Sequence, residues 1–187
     1  RAKKKFFTVR VGNTHITFQQ GSTDEERLYH FALRTNLSFF DYMFKKLKEA
    51  DANLLPNSEG QLSGYWKGKQ LYFTDPDGYI VEILEREISD GGADSGWHDV
   101  CEIGFPAASV EDISEFLSPI NNVNHAESDT FRFYGDEVGT FVLVKEGRNW
   151  YPTNRPATIH SIVVEVEGEH YQVLKHSSLL YIVKVKN

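Results

Sequence analysis

The chain has 187 residues, 40% of them hydrophobic and 25% charged, which suits a globular protein of one large domain or two small modules. Its net charge of −7 excludes a nucleic-acid surface, whose footprint would be basic. No apolar run approaches the roughly 18 residues of a membrane-spanning helix, no signal-peptide pattern opens the chain, and the single cysteine, Cys101, excludes an intramolecular disulfide.

In chain order, the run Lys3-Lys4-Lys5 reads as a solvated strand edge or a frayed terminus. Residues 6–10 and 15–19 are β-like runs joined by the turn signal Gly12-Asn13, which predicts a hairpin. A polar loop is expected over 21–27. Residues 28–34 then alternate, with His30, Ala32 and Arg34 on one face and Tyr29, Phe31 and Leu33 on the other. Ser38 and Asp41 stand at capping-box spacing and predict a helix that turns Phe40, Met43, Leu47 and Ala50 inward. A loop broken by Pro56, Gly60, Gly64 and Gly68 follows.

Residues 71–84 are the most informative stretch. Two β-forming runs flank Asp75-Pro76-Asp77-Gly78, where Pro76 presets one turn position and Gly78 accepts the positive φ that closes it. In the second run Ile80, Glu82 and Leu84 share a face, so one carboxylate sits mid-strand among apolar residues. A buried carboxylate there must be paired, protonated or bound to a metal.

Residues 89–96, Ser-Asp-Gly-Gly-Ala-Asp-Ser-Gly, form the clearest linker. Beyond it a strand over 100–105 and a helix capped by Ser109 with Asp112 are predicted, followed by a polar loop over 121–129 carrying His125. Strands over 130–134 and 140–145, a strand headed by His160, and two final strands in 168–187 complete the chain. The order of elements in 7–21 and 30–33 echoes 133–147 and 160–163, an internal duplication by pattern.

The segment 71–84 resembles the closing hairpin of the vicinal oxygen chelate superfamily, the glyoxalase, bleomycin-resistance and extradiol-dioxygenase group. The resemblance rests on Tyr72-Phe73, Asp75-Pro76-Asp77-Gly78 and Glu82. It implies an α+β fold of tandem βαβββ modules forming a half-open barrel: a first module over 1–88, a linker over 89–97 and a degenerate second module over 98–187. Set against that template, the first module lacks its opening strand and helix, and a segment preceding Arg1 is expected to carry them.

In metal-using members the last-strand glutamate, here Glu82, is a ligand, and Tyr29-His30-Phe31-Ala32 resembles the middle-strand histidine motif. The resemblance therefore implies His30 and Glu82 as metal ligands, Glu82 also as the catalytic group, with a third ligand on the absent strand. Glu102 and His160 are additional candidates, placed where other members share ligands between modules. Fe(II) or Mn(II) is the favoured ion, with Zn or Ni as alternatives. In the opposing reading, His30 is hydrogen-bonded inside the barrel and Glu82 is paired with Arg34 or a tyrosine hydroxyl. Arg34, Trp66, Tyr72 and Tyr79 are expected to line a cavity among 13 Phe, 9 Tyr and 3 Trp.

The expected function is a metal-dependent enzyme acting on a small oxygen-chelating molecule, extradiol-dioxygenase-like before glyoxalase-like lyase or isomerase. The alternative is a metal-free protein that binds a small antibiotic-type molecule. A cytoplasmic location is expected from the single cysteine; a homodimer is left open.

Overall fold

The computed structural model describes residues 5–21, 27–86, 96–120 and 124–187. Lys3 and Lys4, residues 22–26 of the expected loop at 21–27 and most of the expected linker (89–95) lie outside the described residues. The chain forms two compact units, one of residues 1–103 with 151–154 and one of 104–150 with 155–187.

The first unit opens with the expected hairpin, β1 (Phe6–Val11) and β2 (Thr14–Gln19), paired as their own sheet. Its turn residue Gly12 has φ 55°. Next come β3 (His30–Thr35), α1 (Leu37–Glu49), β4 (Asn53–Leu55), β5 (Gly64–Tyr65), β6 (Lys69–Thr74), β7 (Ile80–Glu85) and β8 (Trp97–Ala107), the last divided between the units after Ile103. The sheet runs β4-β6-β7-β3-β8, with β5 on β6. β3 and β7 are parallel, a pairing that requires a crossover, and α1 supplies it.

That topology corrects one expectation. β3, α1, β4, β6 and β7 constitute a βαβββ run, so the strand bearing His30 is its opening strand rather than a middle one. The turn between β6 and β7 is as expected: Gly78 has φ 83° and its amide donates to the Asp75 carbonyl at 2.9 Å.

α1 begins two residues earlier than the capping-box reading allows. Its cap is Asn36, whose side-chain oxygen accepts from the Phe39 amide at 2.9 Å, while the Ser38 hydroxyl only buttresses that oxygen. Asn36→Ala is expected to cost about 1 kcal/mol in chemical denaturation, and Ser38→Ala clearly less. Phe40, Leu71 and Ile83 form the buried contact between helix and sheet, joined by Met43, Phe44 and Leu47. Ala50 is exposed at the helix C-cap and not turned inward. The hairpin covers the rest of this face, with Val11, Ile16 and Phe18 on Phe31, Leu33 and Val81. The face of His30, Ala32 and Glu82 is the opposite one.

The second unit repeats the order of strand, helix and three strands. The end of β8 leads to α2 (Val110–Leu117), β9 (Asn124–Ser128), β10 (Phe131–Gly135) and β11 (Thr140–Lys145), in sheet order β8-β11-β10-β9. Ser109 caps α2 as expected, accepting from the Asp112 amide at 3.2 Å. The expected loop at 121–129 holds β9, so His125 lies on a strand. The echo therefore sets β3 against β8, not 30–33 against 160–163. A strand pair with a glycine turn recurs in any antiparallel sheet, and only the helix after a strand identifies the start of a repeat.

A three-stranded sheet of β12 (Ile162–Glu167), β14 (Tyr181–Lys186) and β13 (Gln172–Lys175) completes the unit, β12 and β14 being parallel. Tyr181 anchors it, packing on Phe105 and donating its hydroxyl to the Pro106 carbonyl.

Candidate metal centre

Three adjacent strands of the first unit each contribute one polar side chain to the face opposite α1. β3 brings His30, β7 brings Glu82 and β8 brings Glu102; all three are buried. Ala32 lies in register with Glu82 on one side and Glu102 on the other. Glu102 reaches this position through an irregularity. Between Ala32 and Leu33 the partner on β8 steps from Glu102 to Val100, leaving Cys101 as the extra residue of a β-bulge.

Among the described residues, His30, Glu82 and Glu102 are the group whose ligand atoms converge, all within 4.8 Å of one another. His30 Nε2 is 3.7 Å from Glu82 Oε2. The other ring nitrogen, Nδ1, lies 3.2 Å from the Ile80 carbonyl oxygen. A carbonyl only accepts, so Nδ1 carries the proton and Nε2 keeps its lone pair toward the carboxylates. Metal-bound histidines are oriented in this way.

The electrostatics follow from burial. Desolvation lowers the His30 pKa to about 4, against a smaller raising effect of the Ile80 carbonyl, so the ring is neutral near pH 7. Desolvation raises Glu82 well above the usual carboxylate range and the neighbouring Glu102 raises it further; the Tyr72 hydroxyl, donating to Glu82, and Arg86 pull it down. Glu102 is also raised by desolvation and drawn back by Arg86, whose Nη2 is 3.4 Å from its Oε1. Two carboxylates that burial disfavours as anions face one neutral imidazole. A divalent cation offsets that cost, and donors sharing an ion at about 2.1 Å sit about 3 to 4 Å apart. The residues present fit a metal ion after a small inward rotation.

The other expected residues are placed as follows. Tyr72 stands beside the donors, its ring 6.5 Å from that of His30 and its hydroxyl on Glu82. Arg34 shares the face of His30, but its guanidinium grips Asp99, Nε donating to Oδ1 at 3.0 Å and Nη2 to Oδ2. It does not pair with Glu82. Tyr79 packs into the hairpin side, between Phe18 and Tyr29. Trp66 is 40% exposed, with Lys67 over its ring. His160 precedes β12 rather than heading it; its Nε2 is 2.8 Å from the Thr158 hydroxyl, and it is not in the converging group.

Two residues at the site escaped the sequence. Arg86 directly follows β7, and a search for cations flanking Glu82 would have found it. Tyr151 sets its ring edge-to-face on Tyr72 at 5.4 Å, and nothing local in the sequence signals that contact.

No protein-family model matches the chain. A metallothiol transferase FosB of Shouchella clausii (strain KSM-K16) is 37% identical over 93 residues, covering 47% of this chain. The match spans only 61% of that relative's length. A crystal structure of a candidate dioxygenase from Bacillus subtilis subsp. subtilis str. 168 superposes with a TM-score of 0.60 at 14% identity, over 94% of this chain and 69% of that one, a likeness of fold. Glyoxalase I from Zea mays, 18% identical over 70% of this chain and 47% of its own, scores 0.42, too low to bear on the fold.

Proposed function

We propose that the chain is a member of the vicinal oxygen chelate superfamily, a reading supported by the transferase relative and the shared fold, and that it is a metal-dependent enzyme acting on a small molecule that offers neighbouring oxygens to the ion. The observation that carries this reading is the convergence of His30, Glu82 and Glu102 from three adjacent strands. His30 and the two glutamates hold the ion in this reading, and neither Arg34 nor His160 takes part.

The extradiol-dioxygenase-like activity expected from the sequence assumed a second imidazole on a strand before His30. The third donor at hand is Glu102, so the set is one imidazole and two carboxylates. Such hard donors suit Mn(II), Fe(II) or Mg(II). When bound, the ion supplies Lewis-acid polarisation of a substrate oxygen. We therefore favour a redox-neutral group transfer or isomerisation, a preference that the name of the transferase relative supports. Glu82, with its raised proton affinity, is suited to take a proton at Oε2. Tyr72 keeps its own proton, since burial and Glu82 push its hydroxyl far above its ordinary range, and holds Glu82 in place. The division into modules over 1–88 and 98–187 joined by 89–97, and a cytoplasmic location, belong to this reading, the latter supported by the buried thiol of Cys101.

A second reading has its own support. Arg86 on Glu102 and Tyr72 on Glu82 already give each carboxylate a partner, as a metal-free binding protein would require. Elemental analysis of protein purified without chelators separates the two. Near-stoichiometric metal in the wild type, falling in both His30→Ala and Glu82→Ala, is the expected result. No metal even after reconstitution would sink the enzyme reading and leave the binder.

A further inference from the structure

Ala32 pairs with Glu82 across the parallel β3–β7 ladder and with Glu102 across the antiparallel β3–β8 ladder. Residues paired across strands send their Cβ atoms to the same face, about 5 Å apart. The methyl group of Ala32 therefore stands between the two glutamates, two residues along β3 from His30 on the same face. It is completely buried, packed with Leu84 and Cys101. Central buried strands favour large apolar side chains, and β3 carries Phe31 and Leu33 on its other face. On the face of the donors the central residue is the smallest that carries a Cβ.

We propose that Ala32 sets whether the site admits an ion, because the room between the carboxylates is the volume a larger side chain there would fill. The inference rests on the metal-site reading above and makes Ala32 a positioning residue that contributes no donor atom. Cys101 does not substitute for one. Burial keeps its thiol protonated, and its Sγ points to the Ala32 carbonyl at 3.8 Å. A valine at 32 leaves all three donors in the chain and wedges hydrocarbon among them.

The test is Mn(II) binding to the full chain, followed by the paramagnetic resonance of free Mn(II), with the melting temperature of the metal-free form as a second readout. Ala32→Val is expected to weaken binding at least about tenfold, the scale of disturbances just outside a ligand set, with Ala32→Ser keeping wild-type affinity. Wild-type affinity in Ala32→Val overturns the inference and leaves the metal site standing. Absence of binding in the wild type overturns both. Where Ala32→Val is unstable, Ala32→Val with Leu84→Val relieves crowding on the same face. Recovery of the metal-free melting temperature without Mn(II) binding supports the inference, and recovery of both overturns it.

Discussion

Glu82→Gln is expected to make the metal-free protein more stable than the wild type at pH 8 and to remove the stabilisation that Mn(II) confers. The wild-type side chain is a buried carboxylate facing a second one, and its folded pKa lies above the unfolded value. A group shifted in that direction contributes stability below the unfolded pKa, near 4.5, and loses it as the pH rises through the folded pKa. The isosteric amide keeps an acceptor for the Tyr72 hydroxyl, spares the Arg86–Glu102 pair and carries no charge. In chelator, wild-type stability therefore declines from pH 5 to 8 relative to the variant. Saturating metal reverses the order, since a ligand at a hundredfold its Kd adds about 2.7 kcal/mol to the form that binds it. Thermal melts with chelator and with Mn(II) at both pH values are the measurement. A variant less stable than the wild type in chelator at pH 8 would show that the two carboxylates do not repel across the site.

The second large effect is expected at Gly12, far from the donors in sequence. Its φ of 55° is left-handed, and a Cβ there would lie 2.0 Å from the His98 carbonyl oxygen. That same oxygen accepts the Asn13 amide at 2.8 Å, and the Thr14 hydroxyl accepts from the Val100 amide at 3.2 Å. These bonds dock the β1–β2 hairpin on β8, at a second bulge where His98 is the extra residue between the partners of Arg34 and Thr35. Gly12→Ala cannot keep both the turn and the dock. The hairpin must lift, uncovering Phe31 and Leu33. A loss of about 2 to 4 kcal/mol is expected from backbone strain, broken hydrogen bonds and exposed apolar surface together. Gly60 provides the control: its φ is 77° and a Cβ there meets nothing within 4 Å. Gly60→Ala should cost only the strain, about 1 kcal/mol. Equal losses for the two variants in urea denaturation would refute the docking role.

Determinants that act over a few residues were legible in the chain. The Asp75–Gly78 turn and the Ser109 cap involve partners within three residues, and both form as their sequences require. The α1 cap shows the limit. Asn36 and Ser38 are both capping residues two positions apart, and the end of β3 at Thr35 selects the first. Glu82 stood out because a carboxylate interrupts an apolar strand, a contrast visible without any fold.

The misplacement of His30 has a different origin. Alternation assigns it to a strand face but not to an order within a module, because the parallel pairing of β3 with β7 joins residues fifty positions apart. The sequence by itself thus determined the hairpins, both helices and the strand faces, since these follow from local dihedral preference and periodicity. Tertiary structure alone decided that three donors meet. Residue 101 had to bulge for Glu102 to stand opposite Ala32, Arg86 and Tyr72 had to reach the carboxylates, and Arg34 had to be drawn away by Asp99. Bulges, registers and charge pairings of that kind are set by the balance of burial against polar satisfaction across distant strands, and a linear pattern does not encode it.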